Sequence, residues 1–198
     1  MSLTRSGTAP GSSLRDHSLP PGSLRVLQLT DTHLYADPVG TLLGINTLNS
    51  FQRVIAHFRD HHWPLDLLLA TGDLVHDASP SGYAKIQAIL DSFGVPVFCL
   101  PGNHDVPATL REHLNDGRVR TDTVCDYGGW RFVMLDSVID GEEGGRLGAD
   151  QLAQLDQALS NTDRHTLVCM HHQPVQVGSA WIDTMAIENP EPLFEIID

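Results

Sequence analysis

The chain has 198 residues, of which 41% are hydrophobic and 19% charged, and 25 acidic against 12 basic side chains give it a formal net charge of −13. That length and apolar share suit one domain with a packed core. The acidic excess argues against a nucleic-acid duplex or an anionic membrane as partner, yet leaves room for a small phosphorylated substrate, because metal ions can supply local positive charge.

Residues 1–23 are rich in Ser, Gly and Pro and read as a disordered tail. Order is expected from Leu24, and residues 24–198 form one domain. A strand over Leu24–Thr30 runs into Asp31-Thr32-His33. Tyr35 to Thr47 is a Gly-bearing loop. Phe51, Val54, Ile55 and Phe58 follow helical spacing within Asn49–His61, and Trp63-Pro64 stops that helix. Leu65–Thr71 is apolar throughout, as a strand covered on both faces would be, and ends in Gly72-Asp73-Leu74-Val75-His76-Asp77. A helix over Ser81–Phe93, a strand over Val95–Leu100 ending in Pro101-Gly102-Asn103-His104-Asp105, and a short helix over Thr109–Leu114 come next. Gly128-Gly129 turns a hairpin between Thr123–Tyr127 and Trp130–Leu135. A helix over Ala149–Leu159 leads to a buried strand, Thr166–Met170, that ends in His171-His172, and a last helix begins at Pro192. Cys99, Cys125 and Cys169 lack C-x-x-C spacing and read as free thiols of a reducing compartment. With no apolar run near membrane-spanning length and no signal-peptide core, a cytoplasmic location is expected. Oligomeric state is left open.

Alternation of strands and helices predicts an α/β fold, in which ligands gather outside the carboxyl ends of the strands. Four strands end there in ligand-type residues: Asp31 and His33; Asp73 and Asp77; Asn103, His104 and Asp105; His171 and His172. Taken singly, each has an ordinary explanation. Asp77 is a solvated loop acid, Asn103 a turn residue, Asp105 a cap for the next helix, and one of the paired histidines a core residue. Taken together, always after an apolar strand, they point to a metal site. A mixed oxygen and nitrogen set suits Mn, Fe, Zn or Co rather than Ca. Asp73, on a central strand, is the natural bridge between two ions, and Gly72 and Gly102 let the backbone turn tightly beside them.

The combination D-T-H, G-D-L-V-H-D, G-N-H-D and M-H-H-x-P closely resembles the calcineurin-like metallophosphoesterases. The resemblance implies a two-sheet sandwich flanked by helices, with a centre of two divalent or trivalent metal ions. Leu43-Gly44-Ile45-Asn46-Thr47, Gly128-Gly129-Trp130 and Trp181-Ile182-Asp183 look like the bacterial class III cyclic nucleotide phosphodiesterases. Carried over by motif, Asp31 and His33 bind the first ion, Asp73 bridges, and Asn103 and His171 bind the second, with His171 matching the ligand position better than His172. His104 stabilises the phosphate or protonates the leaving oxygen, and Asp77 orients His104. The implied reaction is attack by a metal-bridging hydroxide on a small phosphodiester, a 3′,5′-cyclic nucleotide such as cyclic AMP, to give the 5′-nucleotide.

One family motif, G-H-x-H, has no counterpart here, so each ion lacks one protein ligand and a sheet edge stays open. The expectation is a C-terminally incomplete domain belonging to a longer protein. A partner chain that supplies the ligands, or a weakly metal-binding relative, are the alternatives. Two other functions stay open: a phosphoesterase on another diester or a monoester, and a non-catalytic metal-binding fragment.

Overall fold

A computed structural model describes Pro20 and residues 22–198; the expected tail otherwise lies outside the described residues. In chain order the elements are β1 (Val26–Leu29), β2 (Thr41–Leu42), β3 (Ile45–Asn46), α1 (Thr47–His61), β4 (Leu67–Thr71), α2 (Pro80–Asp91), β5 (Val97–Leu100), α3 (Pro107–His113), β6 (Val119–Arg120), β7 (Val124–Tyr127), β8 (Trp130–Met134), α4 (Ala149–Ser160), β9 (His165–Cys169), a 3-10 turn (Ile182–Met185) and α5 (Pro190–Ile197). Every expected helix and strand is present, with bounds moved by a few residues. The short strands β2, β3 and β6 and the 3-10 turn are additions, since two-residue strands leave no periodic pattern to read.

Period-2 alternation sorts the side chains into layers. One sheet has the order β1-β4-β5-β6, all parallel; a second has the order β7-β8-β9, with β8 and β9 parallel; β2 and β3 pair separately as a short antiparallel ribbon. Leu67 and Leu69 of β4 and Phe98 and Leu100 of β5 meet Phe132 and Met134 of β8 between the sheets. The alternate residues Leu68, Ala70, Val97 and Cys99 face outward and are covered by Phe51 and Ile55 of α1, Ile86 and Leu90 of α2 and Leu110 of α3. Val133 and Leu135 face the other way, under Leu155 of α4 and Leu193 of α5. The result is the α/β sandwich of two sheets flanked by helices that the sequence predicts.

β4 and β5 are buried at every position. β9, expected to be buried, is partly exposed, and so is β1. Each lies at the end of its sheet order, and several of their residues are exposed, Val26 and Leu167 among them. An apolar run alone does not tell a central strand from an edge strand. Cys99 and Cys125 are buried and all three cysteines are free. Among the described residues no helix is long and apolar enough to cross a membrane.

Candidate metal centre

Parallel pairing puts the carboxyl ends of β1, β4 and β5 on one edge, and pairing continues into the loops. Asp31 N–H donates to Gly72 O at 3.0 Å and His33 N–H to Asp73 O at 2.9 Å. This requires unusual backbone. Asp31, His33 and Asp73 all have positive φ, at 54°, 42° and 53°, where non-glycine residues are rarely held without cause. Gly72 has φ 98°, and at Gly102 an added Cβ would lie 2.3 Å from Asp73 Oδ1 and 2.5 Å from Asp73 N. The two glycines are therefore needed, one for conformation and one for close approach.

Asp73 is 4% exposed, and one imidazole lies on each of its carboxylate oxygens: His33 Nε2 is 3.6 Å from Oδ2, and His171 Nε2 is 3.5 Å from Oδ1. Asp31 Oδ1 is 3.8 Å from the same His33 Nε2. Ligand atoms of Asp31, His33 and Asp73 lie close enough together to hold one metal ion. His171 arrives from the opposite sheet. Its Nδ1 meets Thr71 O at 2.9 Å, so a proton there donates to the carbonyl and Nε2 is left for the centre. Asn103 sits in the chain between Gly102 and His104, whose N–H donates to Asp73 Oδ1 at 2.9 Å.

The electrostatics follow. Burial opposes ionisation of Asp73, but His171, the His104 N–H and His33 outweigh it and hold the carboxyl below its ordinary range. Burial likewise opposes the charged form of His171, and Asp73 overcomes this to raise it to about 8. A cation at Nε2 competes with that proton. His33 is lowered, with burial prevailing over Asp73 and Asp31.

Of the paired histidines, only His171 faces Asp73. His172 is 2% exposed and turned away, with Nδ1 2.8 Å from Ser137 Oγ, and burial pushes it down to about 4. His104 is exposed, its ring edge-on to His33 at 4.9 Å. Asp77, expected to orient His104, has its bonds elsewhere. Its Oδ2 accepts from Ala36 N–H at 2.9 Å and its Oδ1 from the Ser79 hydroxyl at 2.6 Å, because the chain turns at Ala78 and carries the side chain to the Tyr35–Ala36 loop. Asp105 does not cap α3, whose cap position is Val106. It is buried and accepts from Leu74 N–H, Val75 N–H, Gly102 N–H and the Tyr83 hydroxyl at 3.0–3.1 Å, tying the loop after β4 to the loop after β5.

Sequence reasoning passed over His76. Its Nδ1 is 3.2 Å from His33 Nδ1, and His33, His76 and His104 form a second close imidazole group. Its place in G-D-L-V-H-D, three residues after Asp73, was the available signal. A cavity of about 320 Å³ opens beside Asp31 and His33, with apolar walls from Leu42, Phe51 and Val54 and with Thr47 and Ser50 at its lining.

A two-sheet α/β sandwich with an acid and imidazole cluster at the converging strand ends defines a metal-dependent hydrolase type of site. The family model for calcineurin-like phosphoesterases matches residues 24–190, and the chain belongs to that family. It is 35% identical over 183 residues to a 3′,5′-cyclic adenosine monophosphate phosphodiesterase CpdA of Vibrio vulnificus, covering 91% of this chain and 67% of that one. It is 36% identical over 176 residues to the CpdA of Escherichia coli, covering 88% and 64%. A 3′,5′-cyclic-nucleotide phosphodiesterase of Nostoc sp. is 38% identical over 176 residues, covering 88% and 66%. The chain thus spans about two thirds of the length of these curated relatives. In fold it is similar to a purple acid phosphatase from yellow lupin seeds, with a TM-score of 0.53 and 18% identity over 89% of this chain and 36% of that one.

Proposed function

We propose that this chain carries the site of a metal-dependent phosphodiesterase that hydrolyses 3′,5′-cyclic nucleotides, cyclic AMP among them, to 5′-nucleotides. The observation that carries the reading is the buried Asp73 carboxylate with one imidazole on each oxygen. Such a donor set suits Mn, Fe, Zn or Co. Asp31, His33 and Asp73 would hold one ion, and Asp73, Asn103 and His171 the other, each set being one protein ligand short of what the family motifs imply. Ions held there supply positive charge to the phosphoryl oxygens and lower the pKa of water.

The remaining work falls to the chain's own groups. The apolar walls at Leu42, Phe51 and Val54 receive the nucleobase, in a cavity within the usual size range for small ligands. As a water oxygen bonds to phosphorus and gives up a proton to solvent, the bond between phosphorus and the ribose 3′-oxygen breaks, and His104, exposed at the rim, protonates the departing 3′-oxygen. Asp77 holds the Tyr35–Ala36 loop beside the site. The names of the relatives support the substrate class.

The test is Mn²⁺-dependent hydrolysis of cyclic AMP, with Asn103→Ala as the blank. Turnover by the parent chain, lost in the variant, is expected. Hydrolysis of p-nitrophenyl phosphate without any cyclic nucleotide turnover moves the chain to another class of phosphoester. Asp73→Ala is expected to lose both ions, read as bound manganese per chain after desalting; two ions retained refutes the bridging role.

A further inference from the structure

The structure assigns His76 as the residue that fixes the ring of His33 for metal binding. This rests on the reading of His33 as a ligand. His33 turns Nε2 toward Asp31 and Asp73, at 3.8 and 3.6 Å, so its lone pair must be on that nitrogen when an ion is held. The proton then resides on Nδ1, which needs an acceptor. The atom in reach is Nδ1 of His76, at 3.2 Å. His33 Nδ1–H is therefore the donor and His76 Nδ1 the acceptor, with the proton of His76 on its outer nitrogen.

His171 shows the same arrangement with a different partner: its Nε2 faces Asp73 and its Nδ1 meets the Thr71 carbonyl. Both imidazoles flanking Asp73 thus have their far nitrogen occupied. Outer hydrogen bonds of this kind set tautomer and ring orientation and raise ligand affinity.

His76 is itself held. Its N–H donates to Leu34 O at 2.8 Å, and Leu34 and Val75 form a parallel bridge beside it. Its ring is packed against Tyr35 at 4.9 Å and stacked on His104 at 4.7 Å, with 23° between the ring planes. An acceptor clamped by two rings and a backbone bond holds the His33 ring better than water can, because water can take up other orientations.

The experiment titrates chelator-stripped protein with Mn²⁺ by calorimetry and counts bound ions. It compares the parent, His76→Ala, His76→Asn and His33→Ala, each checked for folding by circular dichroism. His76→Ala is expected to weaken Mn²⁺ binding about 10- to 100-fold with the number of ions unchanged. His76→Asn, whose amide oxygen can stand near the place of Nδ1, is expected to restore most of the loss. Long-range ¹H–¹⁵N spectra of the zinc-loaded protein should show His33 protonated at Nδ1 in the parent and in His76→Asn. Unchanged affinity in His76→Ala, with binding weakened in His33→Ala, overturns the assignment. Loss of a whole ion in His76→Ala makes His76 a ligand and overturns it as well. If His33→Ala leaves binding untouched, the metal reading of His33 fails first, and the role of His76 falls with it.

Discussion

Gly102 shows how much of the site is set by a missing atom. Its ideal Cβ falls 2.3 Å from Asp73 Oδ1, so Gly102→Ala must displace the carboxylate or the loop that carries Asn103. We expect at least a tenfold loss of Mn²⁺ affinity from a shift of that kind, on the order of 1.4 kcal/mol, measured by calorimetry. Unchanged affinity would mean that the loop has slack that the close contact does not suggest. Asp105 acts beneath it. Replacing Asp105 by Ala leaves three backbone N–H groups and the Tyr83 hydroxyl without their buried acceptor. A buried donor left unpaired costs about 1–3 kcal/mol, so Asp105→Ala should lower the urea midpoint clearly, whereas a mere surface acid would move it little. The candidate site residues are thus spaced by groups set beneath them, Gly102 and Asp105.

Two elements carry predictions of their own. Asn46 caps α1 by accepting from Asn49 N–H at 2.8 Å, and its amide also donates to Pro38 O at 2.9 Å. Asn46→Ala should cost about 1 kcal/mol through the lost cap, and Asn46→Asp should recover the cap but not the bond to Pro38; thermal melts of the three proteins test the order. On the β7–β8 hairpin, Asp126 and Arg131 are cross-strand partners joined at 2.8 and 2.9 Å. Arg131 holds the Asp126 carboxyl below its ordinary range against a small opposing effect of burial, and Arg164 adds to it. A depressed folded-state pKa gives stability above the unfolded value that is lost as pH falls through the folded one. The Tm difference between the parent and Asp126→Asn should therefore shrink on acidification, and shrink also in high salt, since Asp126 is exposed. A difference that is constant in both series would trace to packing.

At the scale of the whole molecule, the candidate centre joins two sheets. Asp31 and Asp73 follow strands of the β1-β4-β5-β6 sheet, while His171 follows β9 of the other. A cation held by both sets would link the two layers. Binding to the folded state alone stabilises by about 2.7 kcal/mol at a hundredfold excess over Kd. Mn²⁺ should raise Tm and slow hydrogen exchange in β9 as well as in β4, and a chelator should reverse both. Protection confined to β4 would show that His171 takes no part.

The elements were legible because their signals are local. The unbroken apolar run of β4, the spacing of Phe51 and Ile55, and the Gly128-Gly129 turn act within a few residues. The residue types at the strand ends were legible for the same reason, since a parallel α/β order sends those ends to one edge whatever the details. Sequence by itself therefore determined the layered fold and which residue types gather at its ligand edge. Only the tertiary structure decided which of two adjacent histidines faces Asp73, because both lie in a bend past the end of β9 and long-range bonds, His171 to Thr71 O and His172 to Ser137, fix which way each ring turns. It also decided that Asp77 bonds to Ala36, that Asp105 joins two loops rather than capping α3, and that His76 meets His33. Each of these brings together residues 20 to 50 apart in the chain, and no periodic pattern records where a loop will aim a side chain.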